Sequence, residues 1–268
     1  MIQVAATALL LLGATACWYT PTPLAPGLAG SVGLPHRGVL TEGVALSHSG
    51  PGYHRLRRGD VRWGNPRIVA AIERAAAEVA RQRPGGADLI VADLSARHGG
   101  RIPRHRSHRS GRDVDLLFYT VTPDGRSVEN PGFLHFGPDG LAHTDRRNPR
   151  FVRLDVPRQW VLVRTLLTTE RAHVQWLFVA RWLEALLVEY AEALGEPQEI
   201  IWRAQKVLHQ PSDSANHDDH IHMRLACTPD EAVAGCTGGP RWPWLPAVAS
   251  SAPPISDDEL LRALLVEL

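Results

Sequence analysis

The chain has 268 residues, of which 44% are hydrophobic and 21% are charged. This length and composition fit one globular domain of ordinary size with short additional segments, and they exclude a fibrous or wholly disordered protein. Lysine and arginine total 29 against 28 aspartates and glutamates, which gives a net charge of +1. Because no overall basic field surrounds such a chain, nucleic acid is not expected as a partner.

The first 17 residues have the pattern of an export signal. Residues 4–16 are apolar, too short to span a bilayer, and end in small residues, as in the hydrophobic part of a signal peptide. Residues 14–16 form an A-x-A cleavage pattern and Cys17 follows at once, so the stretch also resembles a lipoprotein signal whose cysteine is acylated. We therefore expect an exported protein of the periplasm or cell envelope, in contact with the membrane only through an acylated Cys17.

Stretches rich in Pro and Gly divide the rest of the chain. Residues 18–35 have no hydrophobic period and predict a linker into a folded domain over 36–237. Residues 238–255 are rich in Gly, Pro and Ser and predict a second linker. A capping-box sequence, SDDE, then opens an apolar run, which predicts a C-terminal amphipathic helix over 256–268.

Within the predicted domain, the apolar pattern alternates between the helical and the strand period. Helices are predicted from Pro66 to a stop before Pro84, near Trp160–Leu167, and over Arg181–Leu194 and Glu199–Leu208. Strands are predicted over Asp88–Asp93, Asp113–Tyr119, Val174–Val179 and Asp219–Leu225. Residues 94–112 and 121–150 have no period and predict long irregular loops. The mixture predicts an α+β fold with a small, largely antiparallel sheet flanked by helices.

The cysteines agree with export. If Cys17 is acylated or removed, Cys227 and Cys236 remain as a pair within one short loop. In an oxidising compartment such a pair predicts a disulfide. Two free buried thiols are the alternative.

Of the 13 histidines, five are concentrated in two segments. They are His105 and His108, in the loop before a predicted strand, and His217, His220 and His222, near the end of the domain. We interpret the others as ordinary solvated or hydrogen-bonded side chains. Zinc takes imidazole and carboxylate ligands, and a catalytic zinc keeps one position open for water.

The spacing within each segment favours a metal site. On a strand, residues two apart face the same side, so the imidazoles of His220 and His222 point together. In the other segment, Asp115 follows His108 by seven residues. Asp113 shares a strand face with Asp115, so one carboxylate can bind metal while the other orients a neighbour. Neither pattern is specific alone, but together in one exported chain they predict a metal site.

Two motif blocks resemble the penicillin-insensitive murein endopeptidase family. They are SHRSGRDVD at residues 107–115 and HDDHIHMRL at residues 217–225. Sequences at 50–53, 62–66 and 89–93 are also similar, so the resemblance covers roughly residues 30–230. That family belongs to the zinc peptidases that include lysostaphin-type enzymes and D-Ala-D-Ala metallopeptidases.

The resemblance implies a role for each residue that matches the family's motifs. It implies Zn²⁺ held by His108, Asp115 and His222, with His105 as a further ligand. It implies His220 as the catalytic histidine and His217 as a second active-site histidine.

The function implied by the resemblance is a zinc metallopeptidase that hydrolyses peptide cross-links in peptidoglycan through a metal-activated water. His220 would act as general base and then pass the proton to the leaving amine, and a protonated His217 would stabilise the oxyanion. The expected partners are peptidoglycan stem peptides and their cross-links. Two alternatives remain: a D,D-carboxypeptidase of the same group that trims stem peptides, and a non-catalytic module that binds the cell wall.

Six arginines lie within residues 97–112. The simplest interpretation is a solvated face of a mobile loop. The functional alternative is a basic rim that attracts the carboxylates of stem peptides, whereas the near-neutral total charge disfavours nucleic acid.

Overall fold

The computed structural model describes residues 30–144, 150–239 and 242–246. The predicted export signal with Cys17 and the predicted helix at 256–268 lie outside the described residues, as does most of each predicted linker. Within the described ranges, no helix combines the length and the apolar composition that crossing a bilayer requires.

The described residues form five helices and fifteen strands. The helices are α1 (Pro66–Gln82), α2 (Val156–Thr168), α3 (Arg181–Ala193), α4 (Gln198–Val207) and α5 (Pro229–Val233). The first strands are β1 (Gly30–Leu34), β2 (Arg37–Thr41), β3 (Val44–Ala45), β4 (Ser49–Gly50), β5 (Tyr53–Arg55), β6 (Trp63–Gly64), β7 (Leu89–Val91) and β8 (Asp113–Leu117). The others are β9 (Thr120–Val121), β10 (Ser127–Val128), β11 (Leu141–His143), β12 (Phe151–Leu154), β13 (Val174–Phe178), β14 (Leu208–His209) and β15 (His220–Leu225). The helices and strands predicted within the described ranges are all present, with their bounds shifted by a few residues.

A seven-stranded sheet with the order β14-β13-β15-β8-β7-β5-β4 forms the centre of the fold. The pairs β13–β14 and β5–β7 are parallel, and the remaining pairs are antiparallel. The predicted α+β fold with largely antiparallel strands is therefore confirmed. One face of β8 and β15 is apolar and packs in a single core cluster with α1 and α2 through Val114, Leu116, Ile221 and Met223.

The pairing of β8 with β15 decides where their polar side chains lie. In this antiparallel register His222 is opposite Asp115, and Arg224 is opposite Asp113. Successive residues of a strand face opposite sides of the sheet. These four side chains therefore share the face that points away from the core.

Capping residues set the start of α2. The Asp155 side chain accepts a hydrogen bond from Arg158 N at 3.1 Å, and Pro157 occupies the first turn. The helix begins at Val156, earlier than the predicted start near Trp160, because the cap and the proline precede the apolar run. The same combination, a capping asparagine followed by a proline, starts α1 where the sequence predicts it.

A second sheet has the strand order β10-β9-β12-β11. β10 and β11 lie within residues 121–150, which the sequence predicts as an irregular loop, whereas β9 overlaps the start of that segment and β12 follows it. The prediction of an irregular loop is therefore wrong for β10 and β11. Each strand has two to four residues, which is too few for an alternating pattern to show in the sequence. Residues 145–149 lie outside the described residues.

The prediction of a linker over 18–35 is wrong for its last residues. β1 and β2 form an antiparallel hairpin in which Leu34 is opposite Arg37. The glycine that resembles a linker breaker is required there, because a Cβ on Gly33 would lie 2.6 Å from Arg37 O. The folded domain therefore includes residues 30–34.

Residues 242–246 also pack on the domain, although they belong to the second predicted linker. Trp242 Nε1 donates a hydrogen bond of 2.6 Å to Gln175 O. Its ring meets the Trp176 ring edge-on, with centroids 5.0 Å apart. β13 therefore gives this half-buried indole both an apolar contact and an acceptor for its N–H.

Cys227 and Cys236 form a disulfide with Cα atoms 5.9 Å apart, as predicted. The loop that they close contains α5, and Glu231 on α5 forms an ion pair of 2.5 Å with Arg67 on α1. Arg67 also donates to Ala226 O at 3.0 Å. The segment closed by the disulfide therefore packs against the start of α1 through Arg67.

We expect replacement of both cysteines by alanine to lower the free energy of unfolding by about 2–3 kcal/mol, because the cross-link restricts the unfolded chain by about that amount. Urea unfolding followed by tryptophan fluorescence measures the change. A reductant should destabilise the native chain to the same degree and leave the double-alanine variant unaffected. Equal stability of the native and double-alanine chains would show that the loop is held without the disulfide.

Candidate metal centre

Three imidazoles surround one carboxylate oxygen at the β8–β15 pair. Asp115 Oδ1 lies 3.2 Å from His108 Nε2, 3.3 Å from His220 Nε2 and 3.2 Å from His222 Nδ1. His105 approaches the other carboxylate oxygen, with Nδ1 at 3.8 Å from Asp115 Oδ2. Asp115 and His108 are at most 2% exposed, so the centre of this group is buried.

His217 completes the group of predicted site residues. Its ring centroid lies 5.1 Å from that of His220 and 5.6 Å from that of His222. Ligand atoms of these three histidines lie within 4.8 Å of one another, and the same holds for His105, His108 and Asp115. The fold therefore brings together all six residues that the sequence singles out.

Backbone carbonyls fix the outer nitrogen of two of these imidazoles. His108 Nδ1 donates to Leu94 O at 2.8 Å, and His217 Nδ1 donates to Ala215 O at 2.7 Å. A carbonyl oxygen can only accept, so the proton of each neutral ring lies on Nδ1. Nε2 of both rings therefore carries a lone pair toward the centre.

Carboxylates fix the outer nitrogen of the other three imidazoles. The pairs are His222 Nε2 with Asp113 Oδ1 at 2.8 Å, His220 Nδ1 with Asp219 Oδ1 at 2.6 Å, and His105 Nε2 with Asp93 Oδ2 at 3.0 Å. Pairs of this kind orient metal-binding imidazoles and make their free nitrogen more basic.

The inner atoms of the group fit a divalent cation. His108 Nε2 and Asp115 Oδ1 are buried without a hydrogen-bond partner, although they lie 3.2 Å apart. With the His108 proton on Nδ1, both atoms are acceptors, and each unsatisfied buried acceptor costs about 1–3 kcal/mol. A cation supplies the partner that both atoms lack, and imidazole nitrogens with a carboxylate oxygen are ligands that Zn²⁺ takes.

The two neighbouring carboxylates stay ionised in spite of their burial. Burial raises the pKa of Asp113 and Asp115, but nearby arginine and histidine side chains outweigh it and hold both pKa values below the ordinary range. The main such groups are Arg224 and His222 beside Asp113, and His108 and His220 beside Asp115. Two buried negative charges on adjacent positions of one face therefore stabilise positive charge at the centre.

His220 and His217 respond to this environment in opposite directions. Burial lowers the pKa of His220, but Asp115 and Asp219 outweigh burial and raise it to about 10. Burial lowers the pKa of His217 to about 4, and His222 and His220 add to the decrease. His217 has to be protonated in order to stabilise an oxyanion as predicted, but its lowered pKa leaves the ring neutral near pH 7. The neutral ring offers an acceptor at Nε2 instead.

Left-handed backbone is concentrated around the centre. Five described residues other than glycine have positive φ, and three of them are Arg104, His108 and His217. Such conformations cost about 1–3 kcal/mol each, and they persist where the surrounding structure imposes them, often at functional sites. The loops of the centre are therefore held in conformations that their residues do not favour.

The arginines within 97–112 do not form a single solvated face. Arg112 is fully buried and donates to Leu225 O at 3.2 Å and to Thr237 O at 2.7 Å. Burial lowers its pKa to about 10. The interpretation as a solvated face is therefore wrong for Arg112, whereas Arg104 is exposed.

Sequence reasoning missed two partners of the site histidines, Asp93 and Asp219. Asp93 follows β7 and faces the centre because β7 pairs with β8. Asp219 directly precedes His220, so this Asp-His pair was visible in the sequence. Asp113 is the neighbour-orienting carboxylate that the strand pattern predicts.

We expect Asp113→Asn to weaken metal binding about 10- to 100-fold, because the amide keeps the shape of the carboxylate but loses the charge that orients His222. Competition with a chromophoric chelator measures the affinity. Asp124→Asn, in an exposed turn that contacts Arg126, is the matched control and should leave the affinity unchanged. An unchanged affinity in Asp113→Asn would mean that His222 is not oriented through this carboxylate.

Comparisons with known proteins identify the family of the chain. The family model described as penicillin-insensitive murein endopeptidase matches residues 31–241. The penicillin-insensitive murein endopeptidase of Haemophilus influenzae is 26% identical over 214 residues, which cover 78% of this chain and 68% of that one. The protein of the same name from Klebsiella pneumoniae is 34% identical over 102 residues, which cover 37% of this chain and 36% of that one. The chain therefore belongs to the penicillin-insensitive murein endopeptidase family.

Proposed function

We propose that this protein is a zinc-dependent endopeptidase that hydrolyses peptide cross-links in peptidoglycan. The observation that carries the proposal is the convergence of three imidazole nitrogens on Asp115 Oδ1, at 3.2–3.3 Å, from two distant segments. Membership of a family of murein endopeptidases supports the substrate class. The names of the curated relatives support it as well.

His108, Asp115 and His222 are the proposed core ligands of Zn²⁺. In each imidazole, one nitrogen faces the centre and the other is held by a hydrogen bond, to Leu94 O from His108 and to Asp113 from His222. Asp115 Oδ1 lies between the inner nitrogens of both rings. His105 is proposed as a further ligand, since its Nδ1 faces the second oxygen of Asp115. When bound in such a site, Zn²⁺ lowers the pKa of a water to about 7 and polarises the scissile carbonyl.

His220 is the proposed general base. Asp219 holds a proton on its Nδ1, while Nε2 faces the centre at 3.3 Å from Asp115 Oδ1. The uncompensated charge of Asp115 is the main cause of the raised pKa of His220. Zn²⁺ bound to Asp115 would offset that charge, so Nε2 could then accept a proton from the attacking water and later donate it to the nitrogen of the leaving amine. Proton transfer by a positioned side chain accelerates a reaction about 10²- to 10⁴-fold.

His217 is proposed to position the reacting water or the substrate. Its Nε2 carries a lone pair, because Nδ1 donates to Ala215 O. It therefore accepts a hydrogen bond at the edge of the site.

The proposed place of action is the cell envelope, where peptidoglycan lies. A cleaved or acylated signal over 1–17 fits that location, and acylation at Cys17 would hold the domain near its substrate. The disulfide between Cys227 and Cys236 agrees with an oxidising compartment.

We expect His222→Ala to lose both bound zinc and activity, whereas His220→Ala keeps zinc and loses about 10²- to 10⁴-fold in turnover. The first variant removes a ligand and the second removes only the base. Metal analysis by mass spectrometry, together with the rate of cross-link cleavage, separates the two effects. His36→Ala, in the exposed turn of the β1–β2 hairpin, is the control. Equal loss of zinc in both active-site variants would contradict these roles.

We expect the zinc-loaded protein to convert cross-linked muropeptide dimers of purified sacculi into monomers. Chromatography of the digest measures this conversion. Release of free D-alanine without loss of dimers would indicate a D,D-carboxypeptidase. Binding to sacculi at full zinc occupancy without any cleavage would indicate a non-catalytic wall-binding module.

A further inference from the structure

A cationic cavity adjoins the proposed metal centre. It has a volume of about 190 Å³, and Asp93 and His105 of the centre form part of its wall. Arg55, Arg57 and Arg104 line the cavity as well. Asp93 is the one carboxylate among the lining residues, and it contacts His105 at 3.0 Å and Arg57 at 3.4 Å. One negative charge therefore faces three guanidinium groups, which leaves the wall of the cavity positively charged.

Arg55 is the most deeply placed of these arginines. It is 5% exposed, and arginine is rarely buried to this degree without a partner of opposite charge. Its Nη2 donates to Gly59 O at 2.6 Å, but its Nε is buried without a hydrogen-bond partner. Asp93 and Asp60 place negative charge near this guanidinium, but its hydrogen-bond acceptor is a carbonyl, so an anionic ligand that accepts from it would stabilise it further.

Arg57 lies between the cavity and His220, the proposed general base. Its Nη1 lies 3.4 Å from Asp93 Oδ2, and its side chain is 51% exposed. The guanidinium carbon lies 6.0 Å from the Phe133 ring centroid, and that ring lies 5.4 Å from the His220 ring. An anion bound by Arg57 is therefore beside a substrate whose scissile bond is at His220.

We propose that this cavity binds a free carboxylate of the stem peptide and thereby selects which cross-links are cut. The proposal rests on the proposed function and extends it to a specificity site. A guanidinium binds a carboxylate through two parallel hydrogen bonds, which suits arginine better than lysine for this purpose. The only lysine of the chain is Lys206 on α4.

The size of the cavity agrees with such a ligand. A cavity of about 190 Å³ has room for a carboxylate with a few attached carbons. In a cross-link made through the side-chain nitrogen of a diamino dicarboxylic acid, the carbon bonded to the scissile nitrogen carries a free carboxylate. The terminal residue of the stem peptide carries another one.

The test uses three cross-linked peptide dimers and the zinc-loaded full chain. One dimer has all its carboxylates free, the second has a carboxamide beside the scissile nitrogen, and the third has a carboxamide at the terminus. We expect one of the two amidated dimers to be cleaved with a kcat/KM about 10- to 100-fold lower, mainly through a higher KM, since charged hydrogen bonds contribute about that factor. The dimer whose cleavage is slowed shows which of the two carboxylates occupies the cavity.

Arg57→Met and Arg104→Met should bring the ratio of kcat/KM between the free and the amidated dimer toward one, because each removes a guanidinium and keeps an unbranched side chain. Arg58→Met, at an exposed neighbour outside the cavity, is the matched control and should keep the full ratio. Equal cleavage of all three dimers by the native chain would overturn the proposal. So would an equal loss of activity on every dimer in the two cavity variants.

A binding measurement separates this proposal from the proposed function. Titration calorimetry of the full chain with the cleaved stem peptide, free or amidated, does not depend on turnover. Tighter binding of the free peptide without cleavage of any dimer would support the cavity and contradict the endopeptidase function. Cleavage of dimers without discrimination in either assay would support the function and contradict the cavity.

Discussion

The site depends on one register, that of β8 against β15. Because side chains alternate along a strand, a slip of one residue would turn every polar side chain of this pair into the core. The apolar face prevents the slip, since Val114, Leu116, Ile221 and Met223 are all fully buried in one cluster. Hydrophobic packing on one side of the sheet thus sets, on the other side, the distances between Asp115 and the imidazoles.

The second constraint is charge. Asp113 and Asp115 are buried side by side, and two buried carboxylates are tolerated only where positive charge or hydrogen bonds balance them. Arg224 Nε lies 2.6 Å from Asp113 Oδ1, on the same carboxylate that orients His222. Asp113 is thereby balanced by protein groups, whereas Asp115 faces inner ring nitrogens. This asymmetry between the two neighbours agrees with Asp115, and not Asp113, as the proposed ligand.

Much of the fold was predictable because its elements are long enough to show a period. The capped helix α1 and the strands β8 and β15 follow from apolar spacing, and the site histidines follow from short motifs on those strands or directly before them. The hairpin at β1 was missed because its glycines, which a close approach of two backbones requires, resemble linker composition. The strands of two to four residues between β8 and α2 were missed because no alternation fits into that length.

The surroundings of the site were harder to predict than its ligands. Asp93 reaches His105 only because β7 lies beside β8, and the sequence does not contain that adjacency. Arg55 and Arg57 lie far along the chain from Arg104, and they share a cavity with it through the parallel pairing of β5 with β7. Local patterns predict which residue types are present, whereas long-range strand pairing decides which of them meet.

The long separation between the paired segments affects how the protein matures. Asp115 and His222 pair across 107 positions of sequence, and β15 is the last of the described strands. A nascent polypeptide that has emerged only as far as α4 holds His108 and Asp115 but not the third proposed ligand. Long-range pairing of this kind forms slowly, after local structure. Metal capture therefore coincides with completion of the tertiary structure, and its binding free energy then favours the finished conformation over every partial one.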